Sequence, residues 1–318
     1  MMIIIMSTMI TLSSNNWISM WIGLEINMMS FIPLILSEVN KSSSEAAMIY
    51  FLTQSVSSML LMAMILTTMC KYLIWGETIN SIISFSIFIK LGVAPFHMWM
   101  PKMMNKMSWM KCSLLMTWQK IAPMYMLSNM ASTAINYLAI ILSIIVGSVG
   151  GLNQTSLRKM MAYSSINHLG WMLAISKSMN LWMIYLLIYS SMISSMCYIF
   201  FYYKINFINQ LSVNNMNNTE KVGMFIMMMS MGGLPPFIGF LPKWIVIQSL
   251  INENEILIIL IMIMFSLITL MYYLRIMTNM FLSFNLMIKW SFNHYNYFMI
   301  MIMTINLSLP MIMIMDIM

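Results

Sequence analysis

Long apolar runs separated by short polar stretches occupy almost the whole chain of 318 residues. A helix needs about 20 apolar residues to cross the roughly 30 Å hydrocarbon core of a bilayer. None of the runs shows the alternation that is typical of strands in a membrane barrel. The runs lie near residues 1–14, 16–36, 44–70, 79–100, 109–128, 133–151, 158–176, 180–203, 222–250, 256–283 and 297–314. The pattern predicts an all-α polytopic membrane protein with about eleven transmembrane helices, the first of them short.

The composition supports a membrane protein and excludes a soluble one. Hydrophobic residues make up 61% of the chain, charged residues make up 7%, and the mean hydropathy is +0.85. A soluble protein carries roughly 25% charged residues, which it needs to cover its surface. No soluble domain fits between the runs, so we predict a single membrane domain over residues 1–318.

The sequence offers no pattern for a metal, a nucleotide or a nucleic acid. The three cysteines, Cys70, Cys112 and Cys197, are far apart, and none forms a CxxC pair. Phosphate-binding glycine motifs are absent as well. The formal net charge of +7 comes from basic residues scattered singly between apolar runs, which is more typical of membrane orientation than of nucleic-acid binding. We therefore predict no catalytic, cofactor-binding or metal-binding residues on this chain.

The basic residues outside the apolar runs predict the orientation. With eleven helices, successive loops alternate between the two sides of the membrane. One side then holds Lys41, Lys102, Lys106, Lys111, Arg158, Lys159, Lys204, Lys221 and Lys289, and the other holds Lys71 and Lys177. Because positive residues accumulate on the cytoplasm-like side, we expect the N-terminus there and the C-terminus opposite.

A glycine–proline motif occurs twice, with the pattern G-x-x-P-F-x-x-x-x-P-K. Proline removes a helical hydrogen bond and clashes with the preceding turn, so each copy is expected to break a membrane helix. Two kinks that merely aid packing are the alternative. The residues predicted to form the breaks are Gly92 and Pro95 in the first copy and Gly233, Pro235 and Pro236 in the second.

The distance between the two motifs predicts an inverted repeat. The copies lie on the fourth and ninth runs, and helices five apart cross the membrane in opposite directions. Broken helices at matching positions of two inverted halves are typical of ion transporters. We place the halves at residues 1–128 and 133–283, followed by a connecting loop and terminal helix at 284–318.

Four ionisable residues interrupt the apolar runs: Glu25, Lys90, Lys120 and Lys243. Each costs about 3 kcal/mol near the middle of a bilayer unless it is paired or hydrated. Glu25 is expected to pair with Lys90 or Lys120. Because a buried lysine can release its proton whereas arginine effectively cannot, the set predicts a proton relay. Static ion pairs that fix the helix register are the alternative.

Two histidines, His97 and His168, lie close to the predicted relay in sequence. A single buried histidine is often a hydrogen-bonded packing residue. Its usual pKa near 6.5 also allows it to carry a proton at physiological pH. We include both as candidate relay residues, with a packing role as the alternative.

Several stretches resemble the chain 2 family of mitochondrial NADH:ubiquinone oxidoreductase, respiratory complex I, whose members are antiporter-like membrane subunits. The resemblance extends from residue 21 to residue 244, in family order. It weakens after about residue 285. The matching stretches are 21–27 (WIGLEIN), 90–97 (KLGVAPFH), 117–123 (TWQKIAP), 150–155 (GGLNQT), 157–159 (LRK), 162–168 (AYSSINH), 232–237 (GGLPPF) and 239–244 (GFLPKW).

The resemblance implies a core membrane-arm subunit that couples electron transfer in other subunits to proton translocation. Glu25, Lys90, Lys120 and Lys243 match the family's central polar axis. NADH, FMN, iron–sulfur clusters and ubiquinone would then be bound by other subunits, so the chain would be an enzyme only as part of the complex. The implied partners are a neighbouring antiporter-like subunit, small membrane subunits toward the quinone module, accessory subunits and lipids such as cardiolipin.

The same family implies a place in the mitochondrial inner membrane, with the N-terminus in the matrix and the C-terminus in the intermembrane space. Two other functions remain open at this point. One is a stand-alone cation/proton antiporter of similar fold, and the other is a structural arm subunit that conducts no protons.

Overall fold

The computed structural model describes residues 1–38, 40–69, 76–130, 134–213, 218–282 and 297–308. Within these ranges the chain is all-helical, apart from one isolated antiparallel bridge between Ser156 and Phe207. The helices are α1 (Met2–Ser13), α2 (Trp17–Leu36), α3 (Lys41–Met69), α4 (Gly76–Leu91), α5 (Trp99–Met104), α6 (Trp109–Met116), α7 (Ile121–Ser128), α8 (Ala134–Gly151), α9 (Leu157–Ala174), α10 (Met179–Tyr202), α11 (Ile208–Val213), α12 (Asn218–Gly232), α13 (Phe240–Asn252), α14 (Ile256–Leu282) and α15 (Tyr297–Asn306).

Each of the eleven predicted apolar runs contains at least one of these helices. Five helices, α2, α3, α8, α10 and α14, are long and apolar enough to cross a membrane by themselves. Three of the other runs are divided into shorter helices. A crossing by all eleven runs stays a prediction.

The first glycine–proline motif interrupts the fourth run. Helix α4 ends at Leu91, and α5 begins at Trp99. Gly92 takes a φ of 74°, which a residue with a side chain rarely adopts, and Pro95 lies in the loop that follows. The carbonyl of Ile89 accepts from the indole N–H of Trp99 at 3.1 Å and from the backbone N–H of Gly92 at 3.2 Å, so the end of α4 is tied to the start of α5.

The second motif has the same local conformation in the ninth run. Helix α12 ends at Gly232, Gly233 takes a φ of 77°, and α13 begins at Phe240. Pro235 and Pro236 lie in the intervening loop. Both motifs therefore consist of a helix, a left-handed glycine, a proline-containing loop and a second helix.

A third interruption, which the sequence analysis did not predict, divides the fifth run. Helix α6 ends at Met116, residues Trp118–Lys120 form a 3₁₀ turn, and α7 begins at Ile121. Pro123 lacks the N–H that would bond to the carbonyl of Gln119 in a regular helix. The tighter turn therefore falls where the α-helical hydrogen-bond ladder is broken.

Helix α9 is the centre of the bundle. It contacts α5, α6, α8, α10 and α13, and 14 of its 18 residues are buried. A helix that is buried on all sides exposes no face to solvent or to lipid. Its polar residues Ser164, Ser165, Asn167 and His168 are therefore held inside the protein.

Basic residues gather at one end of the bundle, where α9 begins. Lys106 pairs with Glu45 at 2.5 Å. Arg158 donates to the side-chain oxygen of Asn206 at 2.5 Å and to the carbonyl of Asn105 at 3.0 Å. The ends of several helices are thus tied together at this basic end.

Glu38, in the connection after α2, adds a further link at the basic end. The Lys111 ammonium group lies 3.3 Å from its carboxylate and donates to the carbonyl of Ile35 at 3.0 Å. A hydrogen bond from Ser108, together with the Lys111 charge, holds the pKa of the Glu38 carboxyl below its usual value.

The opposite end holds an ion pair between Lys177 and Glu253, whose charged atoms are 3.4 Å apart. Three residues named above, Cys70, Lys71 and Lys289, lie outside the described residues. The predicted connecting loop and the end of the predicted terminal helix lie outside them as well.

Gly147 allows α8 to approach α9 closely. A Cβ atom at Gly147 would lie 2.5 Å from the backbone nitrogen of Asn167, which cannot move without displacing α9. We expect Gly147→Ala to lower the free energy of unfolding by about 2 kcal/mol. Thermal unfolding of the full chain in detergent measures this effect. Gly232→Ala is the control, because its added Cβ would meet its nearest atom at an ordinary 3.5 Å. Equal unfolding temperatures for the two variants would contradict the packing argument.

Candidate functional site

The first charged pair joins α2 to the end of α4. The Lys90 ammonium nitrogen lies 3.9 Å from a carboxylate oxygen of Glu25. The Lys90 side chain is only 2% exposed, whereas that of Glu25 is 21% exposed. At this distance the pair is an electrostatic contact without a direct hydrogen bond. Of the two partners considered for Glu25, the structure brings Lys90 within ion-pair distance.

Lys120 is buried at the third helix interruption and is bound by neutral oxygen atoms. Its ammonium nitrogen lies 3.2 Å from the Tyr189 hydroxyl on α10 and 3.3 Å from the carbonyl of Ser165 on α9. It also lies 4.7 Å from the centre of the Tyr189 ring. In the part of the chain that the structure describes, no carboxylate forms an ion pair with Lys120. A protonated Lys120 is therefore stabilised by dipoles and a ring face, without a counter-charge.

His168 lies beside the Lys120 site. One of its ring nitrogens is 2.8 Å from the Tyr185 hydroxyl, and its ring centre is 4.7 Å from that of Tyr189. The side chain is buried. Tyr189 therefore contacts both Lys120 and His168, and the two candidate relay residues share a neighbour.

Lys243 is bound at the second helix break. Its ammonium nitrogen donates to the carbonyl of Gly232, the last residue of α12, at 2.7 Å. Helix C-termini attract cations because their last carbonyls lack partners. The same nitrogen lies 5.6 Å from the centre of the Trp171 ring on α9.

Helix α9 contacts both Lys120 and Lys243. Lys120 meets it at Ser165 and Lys243 meets it at Trp171, with His168 midway between them in sequence. Six residues of α-helix span about 9 Å along the axis. Lys120, His168 and Lys243 are therefore brought to successive levels of one buried helix.

Lys90 and Lys120 both line a cavity of about 20 Å³. Several polar side chains that the sequence analysis did not select line it as well. They are Asn27, Tyr50, Gln54 and Gln119. The signal for Gln54 was visible as an amide inside an apolar run, which is costly in a membrane. Asn27 and Gln119 belong to the quoted family stretches but were not assigned a role.

His97 lies away from these contacts, in the loop between α4 and α5. It is half-buried, and one ring nitrogen is 3.2 Å from the carbonyl of Pro95 in the same loop. Its ring centre is 6.4 Å from that of Tyr163. A relay role for His97 stays a prediction.

No cluster of three or more histidine, cysteine or acidic residues suited to a metal occurs among the described residues. Cys112 and Cys197 are buried free thiols.

The chain matches a family model described as "NADH:quinone oxidoreductase/Mrp antiporter, TM" over residues 14–269. It is also 44% identical over 279 residues to NADH-ubiquinone oxidoreductase chain 2 of Locusta migratoria, a match that covers 86% of this chain and 82% of that protein. The chain belongs to the NADH-ubiquinone oxidoreductase chain 2 family. The resemblance predicted from the sequence is thereby confirmed.

Solved structures of this antiporter-like type share the fold. A chain in respiratory complex I from Thermus thermophilus with bound aureothin gives a TM-score of 0.81 at 19% identity, covering 95% of this chain and 74% of that one. A chain in the Mrp complex from Dietzia sp. gives 0.77 at 16% identity, covering 88% and 59%. The predicted all-helical, antiporter-like membrane fold is confirmed at this level.

The Glu25–Lys90 contact can be measured with a double-mutant cycle. We expect Glu25→Gln, Lys90→Met and the double variant to give a coupling energy of about 1 kcal/mol, since the pair is close but not hydrogen-bonded. The measurement is the free energy of unfolding of the full chain in detergent. A cycle on the exposed pair Lys177 and Glu253 is the control, and it should give a smaller value. A Glu25–Lys90 coupling that does not exceed the exposed pair's would contradict a significant interaction.

Proposed function

We propose that the chain is a proton-translocating membrane-arm subunit of respiratory complex I, and that its protons pass along Glu25, Lys90, Lys120, His168 and Lys243. Membership of the chain 2 family supports the assignment to the complex. The single observation that supports the relay is that three lysines, all buried, lie beside interrupted helices within one bundle.

The surroundings of the lysines favour proton transfer over static pairing. Among the described ion pairs, Glu25 is bound to Lys90, while Lys120 and Lys243 rest on neutral oxygens. An ammonium group without a counter-charge in an apolar site is easily neutralised by loss of its proton. Each of these lysines can therefore exist as a neutral amine or as an ammonium ion without breaking an ion pair of its own.

The proposed cycle begins at the Glu25–Lys90 contact. A rearrangement that separates the two groups leaves the Lys90 charge without compensation, which favours passing its proton onward. Lys120 receives a proton as a neutral amine and is held by Tyr189 and the Ser165 carbonyl. His168 and Lys243 then continue the path along α9.

The proposal includes a location and partners. The protein lies in the mitochondrial inner membrane, with the basic end and the N-terminus in the matrix and the C-terminus in the intermembrane space. Its partners are a neighbouring antiporter-like subunit, the small membrane subunits toward the quinone module, accessory subunits and lipids such as cardiolipin. NADH, FMN, the iron–sulfur clusters and ubiquinone are bound by other subunits, so this chain itself performs no redox chemistry.

A stand-alone cation/proton antiporter is the second candidate, and the likeness to a chain of the Mrp complex favours it. That likeness is at 16% identity and indicates the fold alone, whereas the 44% identity is to a complex I chain. Ion exchange by the isolated chain in liposomes would favour the antiporter. Exchange that requires the rest of complex I would favour the proposed function.

Lys120 gives the sharpest test of the relay. We expect Lys120→Met to lower coupled NADH oxidation and proton pumping by about tenfold, because it removes the central proton carrier. Lys120→Arg should be equally defective, since a guanidinium keeps the charge but does not release a proton. The measurements are turnover and the proton-to-electron ratio of the complex in proteoliposomes, normalised to assembled complex.

Lys177→Met is the matched control for Lys120, because it removes a lysine whose side chain is 47% exposed at the end of the bundle. Its turnover and pumping should stay near the native values. Native pumping by Lys120→Met would contradict the relay. Native pumping by Lys120→Arg would show that a fixed charge is enough, which favours a structural subunit.

Lys243 is expected to show a smaller defect than Lys120, because we place it near the exit of the path. Lys243→Met should lower the proton-to-electron ratio while retaining part of the turnover. The Gly232 carbonyl loses its donor, so the variant should also be less stable by about 1–3 kcal/mol. An unchanged proton-to-electron ratio would count against a relay role for Lys243.

A further inference from the structure

Helix α15 lies outside both predicted halves of the repeat, yet it contacts the second break. It packs against α12, the helix that leads into that break. Its last residue, Asn306, is 4% exposed. An amide among apolar side chains is costly unless it is hydrogen-bonded. The partners of Asn306 therefore show what the end of α15 holds in place.

Asn306 contacts the chain on both sides of the second break. Its side-chain nitrogen donates to the sulfur of Met227 on α12 at 2.8 Å. Its backbone carbonyl accepts from the backbone N–H of Ile238 at 3.1 Å. Ile238 lies in the proline-containing loop, two residues before α13 begins at Phe240. One residue of α15 thus links the helix before the break to the loop after it.

The backbone contact joins two helix ends that need partners. The carbonyl of Asn306 is at the C-terminus of α15, where the last carbonyls have no donor within their own helix. The carbonyl of Ile238 accepts from the N–H of Leu241 at 3.1 Å, so Ile238 begins the turn that leads into α13. N–H groups at the start of a helix likewise lack a partner within it. Each helix end therefore satisfies the other.

The loop bound by α15 is packed directly against Lys243. A Cβ atom at Gly233 would lie 2.6 Å from the Lys243 ammonium nitrogen, and one at Gly239 would overlap the carbonyl oxygen of Ser230 on α12. The loop therefore cannot shift without disturbing α12 or Lys243. The acceptor of Lys243 is the carbonyl of Gly232, which directly precedes the loop. The position of the loop thus determines the geometry of the Lys243 contact.

A packing role for Asn306 explains less. Van der Waals contacts hold two apolar helices together, but they are weakly directional. Leucine would fill nearly the same volume against α12 without a polar atom to satisfy. A hydrogen bond requires a defined distance and angle, so it fixes where the end of α15 lies. Asn306 makes two such bonds, one to each side of the break.

We propose that Asn306 is a positioning residue for Lys243, because it fixes the loop of the second break against α12. This inference rests on the proposed function and adds to it a residue from outside the repeat. With the loop fixed, the Gly232 carbonyl stays within hydrogen-bond distance of Lys243 and stabilises its ammonium form. Asn306 carries no proton itself, since a carboxamide neither gains nor loses one near neutral pH.

The experiment uses intact complex I with substitutions in this chain, reconstituted in proteoliposomes. Asn306→Leu removes the amide at nearly constant volume. We expect coupled turnover to fall about threefold and the proton-to-electron ratio to fall as well, while the KM for ubiquinone stays within about twofold. Thr304→Val is the control on the same helix, because the Thr304 hydroxyl donates within α15, to the carbonyl of Met301 at 2.8 Å. Its turnover and ratio should stay native.

A double variant separates positioning from packing. If Asn306 acts through Lys243, adding Asn306→Leu to Lys243→Met should lower the proton-to-electron ratio no further. A high-resolution map of Asn306→Leu should also place the Lys243 nitrogen more than about 3.5 Å from the Gly232 carbonyl. A packing residue would instead lower the thermal stability of the complex and leave both the ratio and this distance unchanged.

Met227→Leu tests the inference from the other partner and does not depend on the assembly of Asn306→Leu. It removes the sulfur acceptor and should lower turnover and the proton-to-electron ratio in the same way. Met224→Leu is its control, because Met224 is equally buried on α12, one turn earlier. Turnover and the ratio of Met224→Leu should stay native.

The outcomes distinguish this inference from the proposed function. A native proton-to-electron ratio in Asn306→Leu, or in Met227→Leu where Asn306→Leu does not assemble, would overturn the inference. A further fall of the ratio in the double variant would overturn it as well. If Lys120→Met is defective while both of these single variants pump normally, the positioning role is wrong and the relay stands. If Lys120→Met also pumps normally, the proposed function itself fails.

Discussion

A buried ammonium group needs oxygen atoms to replace the water it has left, and three lysines impose this requirement on one helical bundle. Regular helices use their own carbonyls internally, so few acceptors remain in an apolar interior. The bundle supplies them by interrupting helices and by aligning hydroxyl groups. Lys243 uses the last carbonyl of α12, and Lys120 uses the Tyr189 hydroxyl on α10. The second helix break is therefore part of the solvation of the Lys243 charge, and at this position the fold and the site cannot be separated.

The two glycine–proline motifs show how the same local geometry can serve different ends. In the first, the indole of Trp99 lies against Gly92 and donates to the carbonyl of Ile89 in α4. In the second, the Lys243 side chain lies against Gly233 and donates to the carbonyl of Gly232, the last residue of α12. The lysine at the equivalent position of the first motif, Lys102, is exposed. The side-chain donor at the first helix break is thus neutral, and the donor at the second is titratable.

Much of this arrangement could be predicted from the sequence because its signals are local. A charge in an apolar run is costly wherever the run folds, which identified Glu25, Lys90, Lys120 and Lys243. The left-handed glycines at 92 and 233 follow from motifs that are contiguous in sequence. The interruption near Pro123 was missed, although proline supplied a signal for it. The contact of Lys120 with Tyr189, 69 residues apart, depends on how α10 packs, and no pattern in either segment reports it. For the same reason the sequence left two partners open for Glu25, and packing brings Lys90 to it.

The distribution of counter-charges bears on whether the lysines are static supports or proton carriers. A register fixed by ion pairs would give each buried cation its own carboxylate, because unpaired charges in an apolar core are strongly destabilising. Among the described residues, a carboxylate lies within ion-pair distance of Lys90 but not of Lys120 or Lys243, and it does so at 3.9 Å with partial exposure. Lys120 and Lys243 are held by neutral oxygens and ring faces, which stabilise an ammonium ion but are not left with an uncompensated negative charge when its proton leaves. The groups around these two lysines therefore need little rearrangement after each proton leaves. The lysine with a carboxylate partner, Lys90, therefore lies at the start of the proposed path. The lysines that can become neutral by losing a proton, Lys120 and Lys243, lie further along it.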